Sequence, residues 1–126
     1  MWNQAMLTPR FDYRSYLALA AELRSCPSED GLCQAKLRSA ISRAYYAVHL
    51  HARLVRGIDD DPGHRYLVAW LRSKDPDWGR DANILLLARE DCDYDRAISY
   101  NLGDKAKECV DIASALMDEL DKRNGS

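Results

Sequence analysis

Residues 37–49 read Leu37-Arg38-Ser39-Ala40-Ile41-Ser42-Arg43-Ala44-Tyr45-Tyr46-Ala47-Val48-His49. Extended outward, Leu37, Ala40, Ile41, Ala44, Ala47, Val48, His51, Leu54 and Val55 recur at three- and four-residue steps. That period marks one face of a helix. It predicts a long helix from about Gly31 to Arg56, closed by Gly57, a residue suited to the left-handed position that follows a helix. On this spacing His51 falls on the apolar stripe and reads as a packed core histidine.

The flanking segments repeat the same period. Tyr13, Tyr16, Leu17, Ala20 and Leu23 predict a helix from about Arg10 to Ser25, stopped by Pro27, with Ser28 and Gly31 in the turn. Asp59-Asp60-Asp61-Pro62 reads as loop, then N-cap, then proline at the first helical position. A short helix from about Gly63 to Ser73 follows, burying Leu67, Trp70 and Leu71. Lys74-Asp75-Pro76 breaks it. A fourth helix runs from about Asp77 to Cys92; its Ile84-Leu85-Leu86-Leu87-Ala88 run is apolar on every side and predicts a central position. The fifth spans about Asn101 to Arg123, with Leu102, Ala106, Cys109, Val110, Ala113, Leu116, Met117 and Leu120 on one stripe. Lys122 and Arg123 sit in its last turn, where the helix dipole favours cations. Trp70 and Trp78 flank the 74–77 turn and are expected to cover the bundle end. No strand-like alternation with hairpin turns appears. The fold class is therefore all-α, a five-helix antiparallel up-and-down bundle. Residues 1–126 form one domain, with 1–9 a loose N-terminal arm and 124–126 a tail.

Composition narrows the function classes. A length of 126 residues can bury a core without metal or disulfide staples. The formal charge of −2 supplies no global field for nucleic acid, so an RNA contact would need a local patch. No apolar run approaches the ~18 residues of a membrane span, and residues 1–10 lack the apolar core of a signal peptide. The expectation is a cytoplasmic protein with no membrane partner. Cys26, Cys33, Cys92 and Cys109 contain no C-x-x-C pair and no zinc spacing with histidine. Cys26 and Cys33 bracket a turn and can approach each other; in a reducing compartment they read as free thiols. Cys109 reads as a small hydrophobe. Asp91, Asp93 and Asp95 imitate the start of a calcium loop, but Arg96 and Leu102 occupy the glycine and glutamate positions. No metal or cofactor is expected.

Packing does not explain the polar residues of the long helix. At about 100° per residue, Arg38, Ser42, Tyr45 and His49 fall within about 60° of one another, a polar line beside the apolar stripe. Arg43 and Tyr46 flank that line. Toward the end of the fourth helix, Glu90, Asp91, Asp93 and Asp95 crowd a terminus where negative charge is unfavourable. This predicts that Asp93 pairs with Arg43 or Arg38, beside Tyr45 and Tyr94. His64, after Pro62-Gly63, is expected to be exposed.

Ser42-Arg43-Ala44-Tyr45-Tyr46-Ala47, followed by a histidine and small residues, resembles the signature of the HEPN superfamily of helical domains. Arg89-Glu90-Asp91-Cys92-Asp93-Tyr94 is similar to the Arg-x-x-Ala-Asp-Tyr segment of the same group, with Cys92 in the alanine place. The resemblance covers roughly Leu32 to Leu120. It implies a five-helix bundle that forms homodimers and a role in prokaryotic toxin–antitoxin or defence systems. It also implies association with a small nucleotidyltransferase, and RNA or a nucleotide as ligand. Active members of that family are metal-independent endoribonucleases using an Arg and a His four to six residues apart.

Arg43 and His49 fit that separation and are the candidate catalytic pair. Arg38, Ser42, Tyr45, Tyr46, Arg89, Asp93 and Tyr94 are the candidate binding residues. In such a site a histidine would move the ribose 2′-hydroxyl proton and an arginine would hold the scissile phosphate. Two features depart from the pattern. Arg89, where the family places its pair, is followed by no histidine. Arg43 and His49 also project about 120° apart on one helix, whereas Arg38 and His49 align to about 20°. The favoured expectation is a non-catalytic partner- or nucleotide-binding module; the alternative is a metal-independent endoribonuclease toxin.

Overall fold

Alanines at positions 40, 44, 47 and 52 are wholly buried, and their small side chains let other helices approach the long one closely. A computed structural model describes residues 12–26, 31–58, 62–94 and 97–125. Among these residues it contains five helices and no strand: α1 (Arg14–Leu23), α2 (Gly31–Arg56), α3 (His64–Lys74), α4 (Pro76–Asp93) and α5 (Leu102–Gly125). The protein is an all-α helical bundle.

Contacts between the helix ends set the directions. Arg14, at the start of α1, pairs with Asp118 (3.1 Å) and Asp121 late in α5, and Arg24 past its end pairs with Asp111 (3.2 Å). Cys26 follows α1 and is joined to Cys33 at the start of α2. α1 therefore runs against both α2 and α5. Arg38 meets Cys92 while Tyr46 meets Arg89, so α4 runs against α2. The Arg123 guanidinium lies 4.5 Å above the Trp78 ring and Tyr100 reaches Asp91 (3.3 Å), so α5 runs against α4. α1, α2, α4 and α5 thus alternate in direction, and α3 folds back along α4 while touching α2. One core joins all of them, with Ile41, Leu85, Leu86, Cys109 and Met117 among its most enclosed side chains.

Local chemistry explains the boundaries and corrects several expectations. α3 begins at His64, not at Pro62, because Gly63 takes φ = +93°, outside the helical region and favourable only for glycine. The N-cap proposed at Asp61 lies outside the described residues, as do the arm at 1–9, Pro27, Ser28 and Asp95. Asp75 is a cap as well as a breaker: its carboxylate accepts from the Asp77 amide (2.9 Å) and Pro76 opens α4. Asn101 accepts from the Asp104 amide in the same way ahead of α5. α4 is not enclosed on every side, since Leu87 is exposed; α2, packed against α1, α4 and α5, holds the central place.

His51 is not a core residue. Its Nε2 lies 2.7 Å from Asp121, at the edge where α1, α2 and α5 meet. Cys26 and Cys33 are not free thiols: the antiparallel join of α1 and α2 brings their Cα atoms to 5.7 Å, within disulfide reach, and they are bonded. Cys92 and Cys109 are free and buried. Burial pushes their thiols up to about 11 and about 12, which suits small core residues rather than nucleophiles.

Two outcomes follow from this packing. A Cβ built on Gly79 would sit 2.4 Å from Arg72 Cβ and 2.7 Å from Arg72 Cα, so α3 and α4 touch there almost backbone to backbone. Gly79→Ala should lower stability by about 1–3 kcal/mol, a fall of several degrees in Tm, whereas Gly31→Ala, with open space around it, should not. Hydrogen bonds from Arg14 and then His51 hold the Asp121 carboxyl below its ordinary value, against the opposing effect of partial burial. A carboxylate depressed on folding adds stability above its unfolded pKa and loses it as pH falls through the folded one. Asp121→Asn should therefore be less stable than the wild type at pH 7. The gap, kept modest by solvent screening, should close below about pH 4 in thermal melts.

Candidate functional site

The polar line of α2 faces α4, and the structure divides it into two connected regions. Near the start of α2, Ala35, Arg38, Ser39, Ser42 and Arg43 form one wall of an open groove of about 420 Å³. Cys92 and Asp93, at the end of α4, form the other. Two turns further along α2, Tyr45, Tyr46 and His49 meet Arg89 of α4 and His64 of α3 in a compact, largely buried cluster.

Helix geometry explains the groove. Positions 35, 38, 39, 42 and 43 follow the i, i+3, i+4 spacing that puts side chains on one strip. The Arg38 guanidinium donates to the Cys92 carbonyl (3.3 Å), one of the terminal carbonyls that α4 leaves without helical partners. This contact places a cation against the negative end of the α4 dipole. The Arg43 side chain is exposed and its guanidinium lies 5.4 Å from the Tyr16 ring of α1. The groove thus carries two guanidinium groups and two hydroxyls along one wall.

Arg89 organises the second region. It is only 9% exposed, yet it is a charge. Its Nη2 donates to the Tyr46 hydroxyl (2.8 Å), and its Nε lies 2.8 Å from Asp93 in an ion pair one helical turn away, a contact of charges more than an aligned hydrogen bond. Its guanidinium carbon is also 5.3–5.8 Å from the rings of Tyr45, Tyr46 and Tyr94. Burial works against the guanidinium charge, but Tyr46, Asp93 and Tyr94 outweigh it, so the group is held above its ordinary pKa. The Tyr45 hydroxyl hydrogen-bonds with Nδ1 of His49 (3.1 Å) and with Nδ1 of His64. The two imidazole rings are 4.7 Å apart.

The candidate residues therefore separate. Arg38, Ser42, Arg43 and Asp93 share the groove; Tyr45, Tyr46, His49, Arg89 and Tyr94 share the cluster; Asp93 joins the two. Within one chain Arg43 and His49 do not converge: Arg43 is exposed on the α1 side of the groove, while His49 is 4% exposed between α2 and α3. Arg38 and His49 share a face, but eleven residues separate them by about 16 Å along the axis. The expected pairing of Asp93 with Arg38 or Arg43 is corrected, because Arg89 reaches it first from one turn away on its own helix. His64 is half-buried rather than exposed, and belongs to the cluster. It is nineteen residues from Tyr45, so no local periodicity could have revealed the contact. Ser39 was also missed; it lies one position from Arg38 and follows from the same strip.

No family model, curated protein or solved structure matches the chain.

Arg89 and Asp93 should respond unequally to substitution. Arg89→Ala removes the donor to Tyr46 and the partner of Asp93 from a buried position and should cost about 1–3 kcal/mol. Asp93→Asn removes the countercharge but keeps a side-chain oxygen beside the Arg89 Nε, and Tyr46 and three rings still face the guanidinium, so it should cost less, about 1 kcal/mol. Chemical denaturation of the two variants checks the order; equal losses would contradict a role for Arg89 as the centre of the cluster.

Proposed function

We propose that this chain is a non-catalytic HEPN-type module of a prokaryotic toxin–antitoxin or defence system. Its α2/α4 groove holds the phosphate of a nucleotide ligand. The observation that carries the reading is the alignment of Arg38, Ser39, Ser42 and Arg43 along one open wall. Arginines supply forked, charge-assisted donors that match phosphate oxygens, and serine hydroxyls complete the set. Asp93, the acid on the facing wall, is paired with Arg89, so the groove keeps a positive balance despite the chain's net charge of −2. A volume of about 420 Å³ lies within the range of small-molecule sites.

The placement of the imidazoles supports a binding role over cleavage. Metal-independent RNA cleavage needs a histidine and a phosphate-holding arginine at one reacting centre. Here Arg38 and Arg43 line the groove, while His49 and His64 face Tyr45 beside Arg89, whose guanidinium is enclosed and engaged by Tyr46 and Asp93. Homodimer formation and association with a nucleotidyltransferase belong to the same reading, through the resemblance of Ser42–Ala47 and Arg89–Tyr94.

Calorimetric titration with ATP and AMP, beside incubation with single-stranded RNA in EDTA, tests it. Nucleotide binding that weakens as salt rises, falls at least tenfold in Arg38→Ala/Arg43→Ala, and occurs without RNA cleavage is the expected result. Cleavage by the wild type, lost in Arg43→Ala/His49→Ala, would replace this reading with the endoribonuclease. Undiminished binding by Arg38→Ala/Arg43→Ala would remove the groove as the site.

A further inference from the structure

The α4 wall of the groove ends at Asp93, and the next residue is Tyr94, which is 62% exposed. Two contacts fix where it stands. Its backbone N–H donates to the Glu90 carbonyl (3.1 Å), closing the last turn of α4. The Arg89 guanidinium carbon lies 5.7 Å from its ring, a cation–π contact that holds the ring. Tyr94 is thus a positioned aromatic surface open to solvent, one residue beyond the groove wall. Tyr16, the aromatic on the α1 side, differs: it is half-buried, and the Arg43 guanidinium covers its ring at 5.4 Å.

The polar strip of α2 leads toward the same place. Tyr46 lies one turn beyond Ser42, and its hydroxyl accepts from Arg89 (2.8 Å). Arg89 also meets Asp93 and Tyr94. It therefore ties the end of the α2 strip, the acid of the α4 wall and the exposed ring into one continuous surface.

Charge sets the order of groups along that surface. Arg38 and Arg43 on the α2 wall attract a phosphate, and the Asp93 carboxylate on the α4 wall repels it. A nucleotide with its phosphate on α2 therefore turns its sugar and base toward α4. There the Asp93 carboxylate is exposed, and Oδ2 meets Arg89 Nε at 2.8 Å. A carboxylate accepts at both oxygens, so it can take hydroxyl donors while paired with Arg89. Beyond it lies the Tyr94 ring. Cation, carboxylate and aromatic ring follow one another as phosphate, ribose and base do in a nucleotide.

We propose, resting on the assignment of the α2 wall to phosphate, that Asp93 and Tyr94 complete a ribonucleotide site. The Asp93 carboxylate accepts from the ribose hydroxyls and the base stacks on the Tyr94 ring. The ligand class is a ribonucleoside 5′-phosphate rather than free phosphate or a sugar phosphate. Stacking reads no base edge, and every base offers a π-face, so discrimination among bases is weak.

Calorimetric titration of the whole chain with AMP, ribose-5-phosphate, 2′,3′-dideoxy-AMP and inorganic phosphate separates the contacts. AMP should bind at least tenfold more tightly than ribose-5-phosphate, which carries no base. Tyr94→Ala should abolish that gain while its affinity for ribose-5-phosphate stays within twofold of the wild type. Tyr94→Phe, which keeps the ring, should restore the gain. Loss of both hydroxyls in 2′,3′-dideoxy-AMP should weaken binding at least threefold. AMP binding no tighter than ribose-5-phosphate, or a full tenfold gain in Tyr94→Ala, would overturn the base contact and leave the phosphate groove standing. Equal affinity for AMP and its dideoxy analogue would overturn the ribose contact at Asp93. Binding of none of the four compounds would overturn this site and the phosphate groove together.

Discussion

Everything in this bundle depends on the two-sidedness of α2. Its alanines remove side-chain bulk where α1, α4 and α5 must come close, so the core is built from close helix contacts filled by Leu, Ile and Met from the neighbours. Polar residues occupy the adjoining strip of the same helix, and they cannot be moved away from α4 without rotating the apolar stripe out of the core. The polar site is thus a geometric consequence of how α2 is buried. Its arginines, tyrosines and histidine have to find partners on α3, α4 or the surface.

Arg89 shows how that requirement is met. A guanidinium this enclosed is tolerable only with its charge and donors engaged. Asp93 supplies a countercharge from one turn away, Tyr46 supplies an acceptor from α2, and three aromatic rings surround the group. The same pairing removes Asp93 from competition for Arg38 and Arg43, which leaves the groove wall cationic. Burial of one arginine and the character of the open groove are therefore linked through a single carboxylate.

The two ends of the bundle are fastened differently. At one end the α1–α2 connection is covalent, through Cys26 and Cys33. At the other, Arg14 and His51 converge on Asp121 and tie α1 and α2 to α5. Such exposed ion pairs each contribute little, but they orient α1 so that Tyr16 lies beneath Arg43. α3 belongs to neither fastening and rests on α4 through the close approach at Gly79 and on α2 through Tyr45.

By itself the sequence determined the helices, because the three- and four-residue apolar period, the prolines and the capping residues act over a single turn. The span of α2 was legible at both ends for that reason, and so was the shared strip of Arg38, Ser42, Tyr45 and His49. Only the tertiary structure decided which of these polar residues meet. Whereas the partner of Asp93 lies one turn away on its own helix, the inclusion of His64, the bond between Cys26 and Cys33 and the displacement of His51 from the core all depend on how separate helices pack. These contacts join residues up to 70 positions apart, and a helical period carries no information about which neighbour a given face will find. The separation of Arg43 from His49 lies between the two cases. The 100° step already opposed their convergence, and the packing of α1 on one side and α3 on the other put them in different surroundings.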